Sequence, residues 1–327
     1  MAETMRAWHV TAHGEPERVM ALREVEAPRP GPGEVLVRVR AVAVNFPDVL
    51  LARGRYQERP ELPFTPGIEL CGEVAALGEG VTGLAEGQRV VGSKIGVMAE
   101  YATVPARAVR PAPASLDDAA AAALTIAYQT AWFGLHRRAA IRRGETLLVH
   151  AAAGGVGTAA CALGAAAGAE VVGVVGDEAK AEVARAAGAG KVLLREDDWA
   201  AAVKRDHGGA DVVFDPVGGA AFEGSTRCVA FEGRIVVVGF ASGEMPTVPA
   251  GHALVKNYSV LGLHWALYQQ RRPELVDRAH EEFTHLAEEG VVRPAVSEVV
   301  PFEAAASAVQ RLAGGTTTGR LVVRVAS

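Results

Sequence analysis

TLLVHAAAGGVG, residues 146–157, decides the fold. Five residues, four of them apolar or β-branched, read as a buried strand. A glycine-rich turn follows, and an Ala-rich helical stretch then runs to Gly168. As a fingerprint the turn is Ala152-x-Gly154-x-x-Gly157, with alanine where the first glycine usually stands. Without Cβ atoms a backbone can pass close to a diphosphate. The helix opening here would aim its free N–H groups and positive dipole end at that anion. Ala152, Gly154, Gly155, Val156 and Gly157 are therefore candidate cofactor-binding residues, and Gly157 should let helix and strand pack closely. One glycine-rich run among 37 glycines is weak by itself, and the strand–turn–helix context gives it its force.

The pattern repeats outward from that turn. Strand candidates are 170–175, 191–194, 210–215, 233–239 and 257–263, with helical segments at 178–188 and 273–290. Strands alternating with helices of these lengths predict a doubly wound parallel sheet with helices on both faces. A site for NAD would place an acid at the end of the second strand, about 20 residues past the turn. Here Val175 stands 21 residues after Gly154 and is followed by Gly176. Lys180 and Arg195 come next, cations suited to a ribose 2′-phosphate, so NADPH is the expected cofactor. Asp177 is the discordant residue. Two later strand ends, Asp215-Pro-Val217-Gly-Gly219 and Gly239-Phe240-Ala-Ser242, complete the crevice in which such sheets hold ligands.

Residues 1–123 have a different texture, rich in Pro, Gly and short β-branched runs. VLVRVRAVAV (35–44) alternates apolar and charged positions, and 72–78 and 88–93 read as further short strands, predicting an irregular β-barrel or sandwich. The domains expected are 1–123, then 124–265 for the dinucleotide-binding part, with 266–327 returning to complete the first, and a cleft between two packed domains is expected. Half the residues are apolar and the net charge is −5, which gives no reason to expect nucleic acid. The three cysteines, 71, 161 and 228, form no CxxC pair, so neither a disulfide framework nor a cysteine-rich zinc site is expected. No signal peptide or membrane span is read at the N-terminus or elsewhere, and a reducing, cytoplasmic setting is expected.

Six stretches carry a family resemblance over essentially the whole chain. They are Ala-Val-Asn-Phe-Pro-Asp (43–48), Arg-Gly-Arg-Tyr (53–56), Pro-Gly-Ile-Glu-Leu-Cys-Gly (66–72), Met-Ala-Glu-Tyr (98–101), residues 151–157 and Thr-Thr-Gly-Arg (317–320). The chain resembles the zinc-independent medium-chain dehydrogenase/reductases, most of all the quinone oxidoreductase and zeta-crystallin branch. The resemblance implies a Rossmann domain plus a chaperonin-10-like β-barrel catalytic domain. It also implies a homodimer or dimer of dimers pairing through the dinucleotide-domain sheet edge. Metal-dependent relatives place Cys where Asn45 stands and His where Ile68 stands, so zinc is not expected.

The activity implied is hydride transfer from NADPH to a quinone or α,β-unsaturated carbonyl. Asn45 and Tyr56 are the implied catalytic residues, donors to the developing oxyanion. Asn45 and Thr125 are also implied cofactor contacts, Thr125 toward the nicotinamide. Asp48 reads as structural; Met98, Leu263 and His264 are positional candidates for pocket lining. Alternatives stay open: an enoyl-thioester or enone reductase on the same scaffold, an NADPH-binding protein with little turnover, and a zinc alcohol dehydrogenase.

Overall fold

The computed structural model describes residues 3–315 and 317–325. The chain divides into two compact units, residues 1–126 with 296–327, and residues 127–295. Through the first part of unit 1 run β1 (Thr4–Val10), β2 (Met20–Glu26), β3 (Glu34–Ala43), β4 (Glu69–Leu77), β5 (Arg89–Ser93), β6 (Tyr101–Pro105) and β7 (Val109–Pro111). Unit 2 holds β8 (Thr146–His150), β9 (Glu170–Val175), β10 (Lys191–Leu194), β11 (Ala210–Asp215), β12 (Val229–Val237) and β13 (Ser259–Gly262). The chain then re-enters unit 1 with β14 (Val296–Pro301) and β15 (Arg320–Arg324).

β3 organises unit 1. One side pairs with β4 along almost its whole length; the other pairs with β6 through residues 34–38 and with β15 through 41–43. Register shifts between Leu36 and Val37, and between Val39 and Ala41, bend the strand, as bulges do. The result is a curled sheet of order β14-β15-β3-β4-β5-β7 with β6 on β3, beside the separate antiparallel pair β1–β2. Val35, Val37, Val39 and Val42 of β3 are wholly buried. β6 and β7 are short and pair with strands that are not their neighbours in sequence, β3 and β5, so they give no clear local signal; β1, β2 and β14 also go unread.

Unit 2 is a six-stranded sheet of order β10-β9-β8-β11-β12-β13 with every neighbour parallel. This is the Rossmann order, with the switch point beside β8. Phe222, Trp199, Val213 and Ile235 form part of its buried core. The expected C-terminal boundary at residue 266 differs from the observed one. The helix Pro273–Glu288 packs within unit 2, where its Val276 carbonyl accepts from Gln129 Nε2 (3.0 Å) and its Glu282 from Trp132 Nε1 (2.9 Å). Its apolar stripe, with Val276, Ala279 and Phe283 buried, closes that unit's core, so the chain returns to unit 1 only at residue 296.

The turn after β8 is tightly specified. Ala151 has φ +48°, which reverses the chain and turns its carbonyl beneath the following helix. A Cβ at Gly157 would lie 2.1 Å from that carbonyl oxygen, so only glycine fits. Alanine at 152 is accommodated from the opposite side, where a Cβ at Gly173 of β9 would stand only 2.8 Å from the Ala152 Cβ. Gly157→Ala should therefore lower stability by the upper end of roughly 1–3 kcal/mol, or more, because backbone rather than a side-chain tip must move. Gly154→Ala, whose Cβ would meet only the Ala151 oxygen at 3.2 Å, should cost less. Urea denaturation of both variants measures the difference.

Candidate active site

In unit 2 the helix Gly155–Ala166 begins at the C-terminal end of β8 with no side-chain cap and no acidic residue in its first turn. Helix geometry leaves the N–H groups of Gly155, Val156 and Gly157 without partners inside the helix. The helix after β9 differs: its N-cap Asp177 accepts from Lys180 N at 2.9 Å. Asp177 thus has a structural task, and its carboxylate also lies 3.7 Å from Lys180 Nζ. The first helix keeps its positive end for an anion; the second spends its own on a carboxylate.

Two cations converge on Gly176. A Cβ built there would lie 3.6 Å from the Arg195 guanidinium and 3.9 Å from Lys180 Nζ. Arg195 is exposed and anchored through its backbone, whose N–H donates to the Val175 carbonyl at 2.7 Å. The end of β9 therefore presents positive charge around a residue without a side chain.

The other strand ends are strapped together. Asp215 Oδ1 accepts from Val217 N (2.8 Å) and Gly218 N (3.0 Å), shaping the turn after β11. Ala241 N donates to the Pro216 carbonyl and Ser242 N to the Val217 carbonyl, each at 3.0 Å. These bonds gather Val217, Gly239, Phe240 and Ser242 into one patch. His150, at the end of β8, is bonded to Ser225 Oγ at 2.8 Å. Burial lowers its pKa to about 4 despite the nearby Asp215, so it stays neutral and structural.

In unit 1, Asn45, Asp48, Glu69 and Arg320 form a buried network. Asn45 caps the helix Phe46–Ala52, and its backbone N–H donates to Asp48 Oδ2 at 2.8 Å. Its amide donates to the Ala43 carbonyl (3.0 Å) and to Glu69 Oε1 (2.7 Å), while its Oδ1 accepts from Arg320 Nη1 (2.9 Å). Arg320 Nη2 also donates to Glu69 Oε1. This alters the expected role of Asn45. Both amide hydrogens are engaged, so none is left to donate to a further acceptor.

Asp48 accepts from Gly67 N (3.1 Å) as well as Asn45 N, and burial raises its carboxyl to about 7 against those bonds. Burial raises the Tyr56 phenol too, with the charges of Glu58 and Asp48 adding to it, so the hydroxyl is protonated and can donate. Thr125 is buried and its Oγ1 has no hydrogen-bond partner. A buried hydroxyl without a partner is costly, so this one is open to a further donor or acceptor. Met98, by contrast, is wholly buried in unit 1, and His264 is exposed in unit 2.

The network explains what sequence reading missed. Glu69 stands in the apolar stretch of β4, and a charge in such a run was the available signal. Its partner Arg320 lies 251 residues away, beyond any local pattern. Among the described residues no cluster of three or more His, Cys, Asp or Glu side chains is placed to hold a metal. The donor chemistry does not fit one either: the amide of Asn45 and the guanidinium of Arg320 occupy Glu69 Oε1. Burial raises the thiols of Cys71 and Cys161 to about 12 and that of Cys228 to about 11, which makes thiolate chemistry at neutral pH unfavourable.

Residues 31–114 match the model of the alcohol dehydrogenase GroES-like domain, and residues 155–281 that of zinc-binding dehydrogenases. Bovine quinone oxidoreductase-like protein 2 is 36% identical over 324 residues, covering 97% of this chain and 93% of its own. The chain belongs to the quinone oxidoreductase branch of the medium-chain dehydrogenase/reductases. The crystal structure of Escherichia coli quinone oxidoreductase complexed with NADPH superposes with a TM-score of 0.91 at 31% identity, covering 98% of this chain and all of that one. A mycocerosic acid synthase-like polyketide synthase of Mycobacterium tuberculosis is 35% identical over 308 residues, 90% of this chain but 14% of that much longer one. This membership makes the curled sheet of unit 1 a GroES-like domain and unit 2 a Rossmann domain, and the protein an oxidoreductase. Among the described residues no helix is long and apolar enough to cross a membrane.

Proposed function

We propose that this chain reduces quinones or related α,β-unsaturated carbonyls with NADPH and without a metal. The observation that carries the reading is the pair of cations, Lys180 and Arg195, around Gly176 at the end of β9, where NAD sites keep an acid. Their chemistry fits a 2′-phosphate. The uncapped helix at Gly155 fits the diphosphate, and the unpartnered Thr125 hydroxyl fits the nicotinamide carboxamide. Val217, Gly239, Phe240 and Ser242 supply the remaining backbone and side-chain contacts.

NADPH, when bound, supplies a hydride. The rest falls to the protein. Tyr56 donates a hydrogen bond to the substrate oxygen as negative charge develops there, and its raised pKa keeps that proton available. Asn45, held by Glu69 and Arg320, orients the wall around it. Orientation and exclusion of water do most of the catalysis.

The match to part of a polyketide synthase favours a second reading, reduction of an enoyl thioester, with the exposed Arg55 and Arg59 meeting the carrier's phosphates. NADPH oxidation with 1,4-naphthoquinone, 2-cyclohexenone and crotonyl-CoA separates the two. The naphthoquinone should turn over fastest; preference for crotonyl-CoA would establish the second reading. NADPH binding without turnover of any acceptor would leave a binding protein.

Replacing Lys180 and Arg195 together by Ala should weaken NADPH by roughly a hundredfold or more, since charge-assisted bonds contribute about 1.5–3 kcal/mol each, and leave NADH little changed. Fluorescence titration with each nucleotide reads this. Tyr56→Phe should lower kcat by about a hundredfold with NADPH affinity unchanged, measured by steady-state kinetics.

The same reading includes a homodimer or dimer of dimers. β13 is a free sheet edge, and the nearby Leu254, Val255 and Phe231 are 79%, 78% and 72% exposed. Sedimentation analysis should give a dimer or tetramer for the wild type and a smaller species for Leu254→Asp/Val255→Asp. A monomeric wild type refutes this part.

A further inference from the structure

Glu69 is wholly buried, and its two oxygens serve different parts of unit 1. Oε1 binds Asn45 Nδ2 and Arg320 Nη2. Oε2 accepts the backbone N–H of Ile126 at 2.8 Å, across 57 residues of sequence. Helix-opening N–H groups are usually satisfied by a local cap. In the helix Thr125–Trp132 that task goes to a carboxylate from another strand, itself clamped by a guanidinium from β15. The residue beside that N–H is Thr125, whose buried hydroxyl has no partner.

We propose that Glu69 is a positioning residue for the reaction: locked by Arg320 and Asn45, it pins the Ile126 amide and thereby aims the Thr125 hydroxyl at its ligand. The inference rests on the reading of Thr125 as a nicotinamide contact. A carboxylate that only tied β15 to β4 would need one oxygen on Arg320; the second would be free to face any donor. Here the second is spent on the backbone N–H next in the chain to Thr125, whose hydroxyl has no partner. A misplacement of about 1 Å at a reacting centre costs on the order of a hundredfold in rate, so such a pin has leverage.

The test is a double-mutant cycle on the full-length protein with Glu69→Gln, Thr125→Val and both together. kcat and KM for NADPH are read with 1,4-naphthoquinone, and folding by circular dichroism and thermal melting. In Glu69→Gln, an amide that accepts from Ile126 must turn its own N–H groups toward Asn45 and Arg320; turned the other way it loses Ile126. Either way the clamp opens. The bonds that Asp48 accepts from Asn45 N and Gly67 N do not involve Glu69 and hold this part of unit 1 in the variant.

The proposal predicts that Glu69→Gln lowers kcat by about tenfold to a hundredfold, with a smaller change in KM for NADPH, and that the double variant is no worse than the poorer single one. Multiplying losses in the double variant would overturn it, because Glu69 would then act elsewhere. Normal turnover in Glu69→Gln with impaired Thr125→Val would overturn it while leaving the role of Thr125 standing. Normal turnover in Thr125→Val would remove that role and the proposal together. If Glu69→Gln does not fold, Glu69→Asp, which keeps the charge at Arg320 but falls a methylene short of Ile126, goes through the same cycle.

Discussion

Everything in unit 2 depends on how closely the first helix approaches the end of β8. Gly157 sits where a single methyl group would strike the Ala151 carbonyl, and that contact fixes the helix axis over the strand. Because the axis is fixed, three N–H groups and a dipole end stand at the C-terminal edge of the sheet without an internal partner. The strand order then places the turns after β9, β11 and β12 around the same edge. The cation pair at Gly176 and the strapped turns at Val217 and Ser242 are consequences of that arrangement.

Unit 1 depends on a different kind of constraint. Burying Glu69 and Arg320 would be expensive for each alone, and the pairing with Asn45 compensates both. The network joins β4, β15, the Asn45 cap and the start of the helix at Thr125. It also explains why Asn45 does not act as a free donor: its amide is part of the frame. In the proposed reaction that leaves Tyr56, whose phenol is raised by burial and neighbouring negative charge, to meet the substrate oxygen.

These two constraints were unequally legible in the sequence. The parallel sheet could be read because each βαβ unit is local and its strands and helices alternate with distinct periods. Even there the sequence reading places the helix Pro273–Glu288 with the first domain and the structure places it in unit 2, since its amphipathic stripe says that it packs but not against what. Unit 1 is legible at β3, β4 and β5 and silent at β1, β2, β6, β7 and β14; of these, β6 and β7 are short and pair with strands that are not their neighbours in sequence. Lys180 and Arg195 were named from spacing, and the structure places both around Gly176. Asp177 reads as an electrostatic conflict in the sequence, where its capping bond to Lys180 N leaves no separate signal.

The central claim is that the edge of the Rossmann sheet is built for a nucleotide carrying a 2′-phosphate. Calorimetric titration of the wild-type protein with NADPH and NADH at two ionic strengths tests it most directly. The account predicts that NADPH binds at least about tenfold more tightly and that raising the salt narrows the gap, because exposed Arg195 and half-buried Lys180 are open to screening. Tighter binding of NADH, or no saturable binding of either nucleotide, would contradict it.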